Sequence, residues 1–144
     1  VTVPALERGI ERRGRDRRDL EVTCPVFVVS GADAAAKEAS RQGACQQLAF
    51  YASTPTYRPV LEIHGWEEVG RELTPLSKRG EWVKMGTLID DEMLDAFAIV
   101  AEPGDVADRI LQRYGGGIDR LASTFSFASA EELDACIQTL HGAS

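Results

Sequence analysis

Residues 20–29 limit the fold more than any other stretch, because Val22, Val26, Phe27, Val28 and Val29 make the run β-branched and, toward its end, continuously apolar. A strand with one wet face alternates; a strand covered on both faces has no need to. The run therefore predicts a strand inside a parallel α/β sheet. Ser30-Gly31 ends it, and Asp33 stands where its carboxylate can accept from the first free amides of a helix over 34–51, whose alanine-rich start favours that state.

The remaining pattern is mostly helical. Val3, Leu6 and Ile10 share a helical face that stops at Gly14. Pro55 and Pro59 lack an amide proton, so they break one helix and suit the first turn of the next. Short helices are expected over 56–63, 67–73 and 81–88, punctuated by Pro75 and Gly80, and Asp90 caps a further helix carrying Met93, Leu94 and Phe97. After Pro103, an apolar stripe of Val106, Ala107, Ile110, Leu111 and Tyr114 predicts a helix, which Gly115-Gly116-Gly117 ends with freedom to adopt positive φ.

Residues 118–127 read as a second strand, with Leu121, Ser123, Phe125 and Phe127 alternating against Arg120, Ala122, Thr124 and Ser126. Residues 20–29 and 121–127 should be parallel neighbours, because a connection rich in helices suits a right-handed crossover. Ser129-Ala130-Glu131-Glu132 forms a capping box ahead of a last helix with Leu133, Cys136, Ile137 and Leu140.

Composition removes several function classes. A net charge of −7 and a pI near 4.8 argue against nucleic-acid and anionic-membrane partners, which need excess Lys and Arg. The one basic run, Arg8, Arg12, Arg13, Arg15, Arg17 and Arg18, is interleaved with Glu7, Glu11, Asp16 and Asp19, so a solvated connection is expected there. Cys24, Cys45 and Cys136 are widely spaced and lack metal-ligand neighbours, which predicts free buried thiols. No membrane span or signal-peptide core is visible, so a reducing cytoplasm is the expected location. The chain begins with Val, as a processed, trimmed or incomplete N-terminus would.

Two motifs resolve to ordinary structure. Gly115-Gly116-Gly117 follows a helix and precedes a strand, the reverse of a phosphate loop. Asp90-Asp91-Glu92 points its carboxylates in different directions, so no metal is expected. Residues 50–66 are different. They gather Tyr51, Tyr57, Arg58, His64 and Trp66 between two helical patterns, as a ligand wall would. Tyr57 and Arg58 could offer a phenol and a fixed cation to a substrate carboxylate or phosphate, or could serve a helix interface and a surface ion pair. His64 could exchange protons near neutral pH or bond the last carbonyls of a helix. Trp66 is read as packing.

The segment Tyr51-Ala-Ser-Thr-Pro55-Thr-Tyr57-Arg58, running to Gly65-Trp66 and later to Glu102-Pro103, resembles the C-terminal part of luciferase-like monooxygenases, in particular the branch that uses the deazaflavin coenzyme F-420. The likeness extends from Val1 to about Ser126. It implies an α/β fold that is a partial TIM (β/α)8 barrel: residues 1–144 would be a C-terminal fragment holding the last two β/α units, with a long helical insertion over about 34–102. A whole barrel takes about 250 residues, more than this chain has.

The resemblance further implies an oxidoreductase that moves hydride between coenzyme F-420 and a small organic substrate. Tyr51, Tyr57, Arg58, His64 and Trp66 would lie on the substrate side. An FMN-dependent monooxygenase fragment is one alternative, and a non-catalytic truncated barrel module acting by self-association or partner binding is another. The family's front strands bring most cofactor contacts, so no residue here is assigned a catalytic role and no tight cofactor binding by this chain alone is expected. A homo-oligomer, or the missing barrel half, is the expected partner.

Overall fold

The computed structural model describes residues 2–115, 117–123 and 129–142, in which a small parallel sheet is set among helices. The strand β1 (Thr23–Val29) is central, with β2 (Ala98–Val100) on one side and β3 (Arg120–Ser123) on the other. β1 runs parallel to both: Phe27, Val28 and Val29 align with Ala98, Ile99 and Val100, while Thr23 to Val26 align with Arg120 to Ser123. The two strands read from sequence are thus parallel neighbours. The end of the second, residues 124–128 with Phe125 and Phe127, lies outside the described residues.

β2 was not anticipated, since its residues fell within the insertion read as helical. α6 (Asp91–Phe97) stops immediately before it. Arg113 donates to the carbonyls of Asp95 at 2.6 Å and Ala98 at 2.7 Å, occupying acceptors that a further helical turn would have used. The apolar triplet Ala98-Ile99-Val100 is then free to pair with β1.

Alternation along β1 sends its side chains to two cores. Phe27 and Val29 join the core built by α2 (Ala34–Ala52), α3 (Arg58–His64), α4 (Glu67–Lys78), α5 (Trp82–Gly86) and α6. Cys24, Val26 and Val28 join the opposite core with α7 (Val106–Tyr114) and α8 (Ala130–Gly142). The first core covers only the C-terminal half of its face. Thr23 and Pro25, and the partners Arg120 and Ala122 beside them, stay exposed.

Local chemistry accounts for most boundaries. α1 (Thr2–Arg13) ends at Gly14, whose φ is 60°. The strand begins at Thr23 and not Leu20, because Asp16 and Asp19 close a capping box around a 3-10 turn over Arg17–Asp19. Asp33 accepts from the Ala36 amide and Asp90 from the Met93 amide, both at 2.8 Å, as N-caps do. Ser129 and Glu132 exchange the two bonds of the expected box at the start of α8.

Three details depart from the sequence reading. α4 runs through Pro75, which sits on its exposed face while Leu73 and Leu76 anchor the helix in the core on either side; water can serve the carbonyl left without its donor. Gly115 turns with φ at −57°, not in the positive region, and Gly116 lies outside the described residues. In the basic run, Arg17 is more than solvated: it bonds the Leu20 carbonyl at 2.6 Å and Asp119 at 2.9 Å, tying the entrance of β1 to that of β3.

Candidate functional site

The α2–α3 turn is held from several sides. The Ser53 hydroxyl donates to the Phe50 carbonyl at 2.7 Å, and Thr74 of α4 donates to the Ser53 carbonyl at 3.0 Å. Pro55 then starts a 3-10 turn over Pro55–Tyr57 that delivers Tyr57 and Arg58 at the head of α3. The turn is fixed by backbone partners, so its aromatic side chains are available for other contacts.

Tyr51 and Tyr57 meet edge-on with ring centroids 5.4 Å apart. Tyr51 also lies 6.3 Å from Phe27 on β1 and 5.7 Å from Phe50, which in turn lies 6.2 Å from Trp82 of α5. These rings form a ridge that begins in the C-terminal half of the central strand and runs outward. Its outer members are open: Phe50 is 50% exposed, Tyr57 45% and Trp82 46%. Arg58 is half-buried beside it in sequence.

His64 and Trp66 belong to a second group. Gly65, with φ at 76°, ends α3 in a left-handed cap. The Trp66 amide bonds the Leu61 carbonyl at 3.0 Å and the Gly65 amide bonds the Glu62 carbonyl at 3.2 Å, the paired bonds of a Schellman motif. Those carbonyls are therefore served by backbone, and His64 does not bond them. Its imidazole instead stacks on Trp66 at 4.5 Å with planes 9° apart, and Phe97 closes on both rings edge-on at 5.5 and 6.0 Å. Trp66 packs against the first core, as its packing reading requires.

The five residues read from sequence thus divide. Tyr51 and Tyr57 share the ridge, His64 and Trp66 share the knot, and among the described residues no ring contact joins the two groups. Phe27, Phe50, Trp82 and Phe97 were not anticipated as members. Phe27 was hidden inside a strand pattern, and Trp82 comes from a helix that sequence spacing does not place beside α2.

Other chemistry is sparse. Burial pushes the Cys45 and Cys136 thiols up, which makes both poor nucleophiles, while Cys24 is only half-buried. Among the described residues, no group of three or more His, Cys, Asp or Glu side chains could hold a metal ion, and no helix is long and apolar enough to cross a membrane. On the opposite face, α7, β3 and α8 leave an open cleft lined by Ile110, Leu121, Ile137 and Leu140.

Comparison with known proteins gives this geometry a setting. The sequence profile described as luciferase-like monooxygenase matches residues 1–120. Uncharacterized proteins of Mycobacterium tuberculosis and Mycobacterium bovis are 50% identical over 138 residues, which is 96% of this chain and 41% of theirs. The 5,10-methylenetetrahydromethanopterin reductase of Methanopyrus kandleri is 28% identical over 126 residues, 84% of this chain and 34% of the reductase. The chain therefore spans about two fifths of the length of the mycobacterial relatives it matches.

Proposed function

This chain belongs to the luciferase-like monooxygenase family, and from that membership we propose that it is the substrate-side cover and the last β/α units of a barrel oxidoreductase that transfers hydride between a deazaflavin and a small organic substrate. One observation carries the reading: the insertion α2–α6 occupies only the C-terminal half of one sheet face, and the aromatic ridge starts there at Phe27. In parallel α/β sheets and barrels, ligands sit beyond the carboxyl ends of the strands. The bare half, at Thr23, Pro25, Arg120 and Ala122, is where front strands of a barrel would close.

Reduction is favoured over oxygen insertion because three relatives carry the name 5,10-methylenetetrahydromethanopterin reductase. The coenzyme would supply the hydride chemistry, and this chain's residues would bind and orient the substrate. Tyr51, Tyr57 and Arg58 would face the substrate, with the His64–Trp66–Phe97 knot holding α3 in place. The residues here do not fit the coenzyme by themselves. A bound ligand normally has about 70 to 90% of its surface covered, and the ridge leaves its outer rings open. Oxidised coenzyme F-420 should therefore show no saturable fluorescence change with this chain, whereas the longer mycobacterial relative should bind and reduce or reoxidise it. Saturable micromolar binding by this chain, or an inert mycobacterial relative, would overturn the proposal.

A second reading rests on the sheet edge. Among the described residues β3 pairs only with β1, so its outer side offers backbone groups that invite another strand. Self-association through that edge would make the chain an interaction module in its own right. Light scattering that finds a monomer over a wide concentration range removes this reading.

A further inference from the structure

Four cations are half-buried among the described residues: Arg17, Lys37, Arg41 and Arg58. The first three each pair with a carboxylate, Asp119, Glu102 and Asp91 in turn. Arg58 stands apart: its amide bonds the Pro55 carbonyl, but among the described residues its side chain has neither an ion pair nor a hydrogen bond. An arginine whose stem is held against the fold and whose fork has no partner in the chain is placed to receive an anion at small further ordering cost. The hydroxyls of Tyr51 and Tyr57 likewise have no hydrogen-bond partner among the described residues, and the rings of Phe50 and Trp82 continue the same exposed surface.

Resting on the substrate-side reading above, we propose that the α2–α3 turn is a subsite for a planar aromatic oxyanion, a carboxylate or phosphate on a ring system, with the ridge receiving the rings and Arg58 the oxyanion. The chemistry of the parts selects that class. A guanidinium presents a rigid planar fork that matches two oxygens of a carboxylate or phosphate and always carries its charge. Exposed tyrosine and tryptophan rings take an aromatic body edge-on or offset, and their polar ends remain free to donate. A neutral aromatic would leave Arg58 uncompensated, and an aliphatic anion would leave the ridge uncovered.

The test needs only the chain and two probes of one shape, naphthalene-2-carboxylate and naphthalene-2-carboxamide, followed by amide-resolved NMR. The carboxylate should shift the resonances of Tyr51, Tyr57 and Arg58 saturably and bind about tenfold or more tighter than the amide, the advantage of a charge-assisted bond. Arg58→Gln should erase the preference, and Arg58→Lys should keep part of it. Equal affinity of the two probes for the unaltered chain overturns the proposal without any variant, as does a preference that survives Arg58→Gln. To separate a substrate oxyanion from one carried by the coenzyme, oxidised coenzyme F-420 is added to the carboxylate complex. A substrate subsite keeps its naphthoate; displacement assigns Arg58 to the coenzyme and overturns the substrate assignment. Coenzyme turnover by the mycobacterial relative is a separate readout, so a failed subsite and a failed oxidoreductase reading remain distinguishable.

Discussion

The two cores on either side of β1 are closed in different ways. The insertion draws Ala49, Leu73, Met85 and Met93 from four helices into nearly complete burial, and needs little more than Val29 and Ala98 from the sheet. The other core has Val106 and Ile110 well buried on α7, but α8 buries only Cys136 fully, with Leu140 half-buried beside it, β3 has no fully buried residue, and Leu133 and Ile137 remain 40% and 39% exposed. Helices close in sequence can thus build a core of their own. The β/α side is less closed, because β3 lies at the edge of the described sheet and most of the α8 surface beside it faces solvent.

Truncations give the sharpest test of that difference. Leu73 has no exposed surface, so Leu73→Ala removes its packing and opens a cavity in a closed core, and should cost about 2 to 5 kcal/mol of stability by chemical denaturation. Leu133→Ala should cost less than about 1 kcal/mol, since nearly half of that side chain already meets water and surface changes are small. Equal losses at the two positions would mean that the cores are equally closed, and the comparison would fall.

The same contrast explains what sequence could reveal. The run ending in Val28-Val29 announced a strand covered on both faces, and the caps at Asp33, Asp90 and Ser129 were readable because each is a local hydrogen bond. β2 was not readable: three residues carry no periodicity, and their pairing depends on Arg113, which stops α6 from fifteen positions away. Pro75 misled for a related reason, since a local helix breaker yields when buried leucines on both sides fix the helix. In the candidate site, clustering in sequence identified Tyr51 and Tyr57 as companions but could not separate His64 and Trp66 from them. That division depends on Phe27 of β1 and Phe97 at the end of α6, both distant in sequence from the cluster.

The smallest expected effect lies where the loosely closed half is tied at its base. Asp119 accepts from the Val22 amide at 2.7 Å and from Arg17 at 2.9 Å, while its own amide returns a bond to the Val22 carbonyl at 2.9 Å. The Val22 bond first, and then Arg17, hold the Asp119 carboxyl below its ordinary value of 3.8. A carboxyl with a depressed folded value stabilises the fold at pH above the unfolded value, and that contribution fades as pH falls below it through the folded value. The tie should therefore be constant from neutral pH down to about the ordinary carboxylate range, and then weaken with further acid. Both partners are substantially exposed, so salt and water screen the pair and its weight in overall stability is small. The Val22 amide resonance is the local reporter: in acid it should titrate with a midpoint below that of a free aspartate, and Asp119→Asn should flatten the titration while keeping an oxygen to accept the bond. A midpoint at or above the ordinary value would show that the bond does not favour the charged carboxylate, and that the two strand entrances are held by backbone pairing alone.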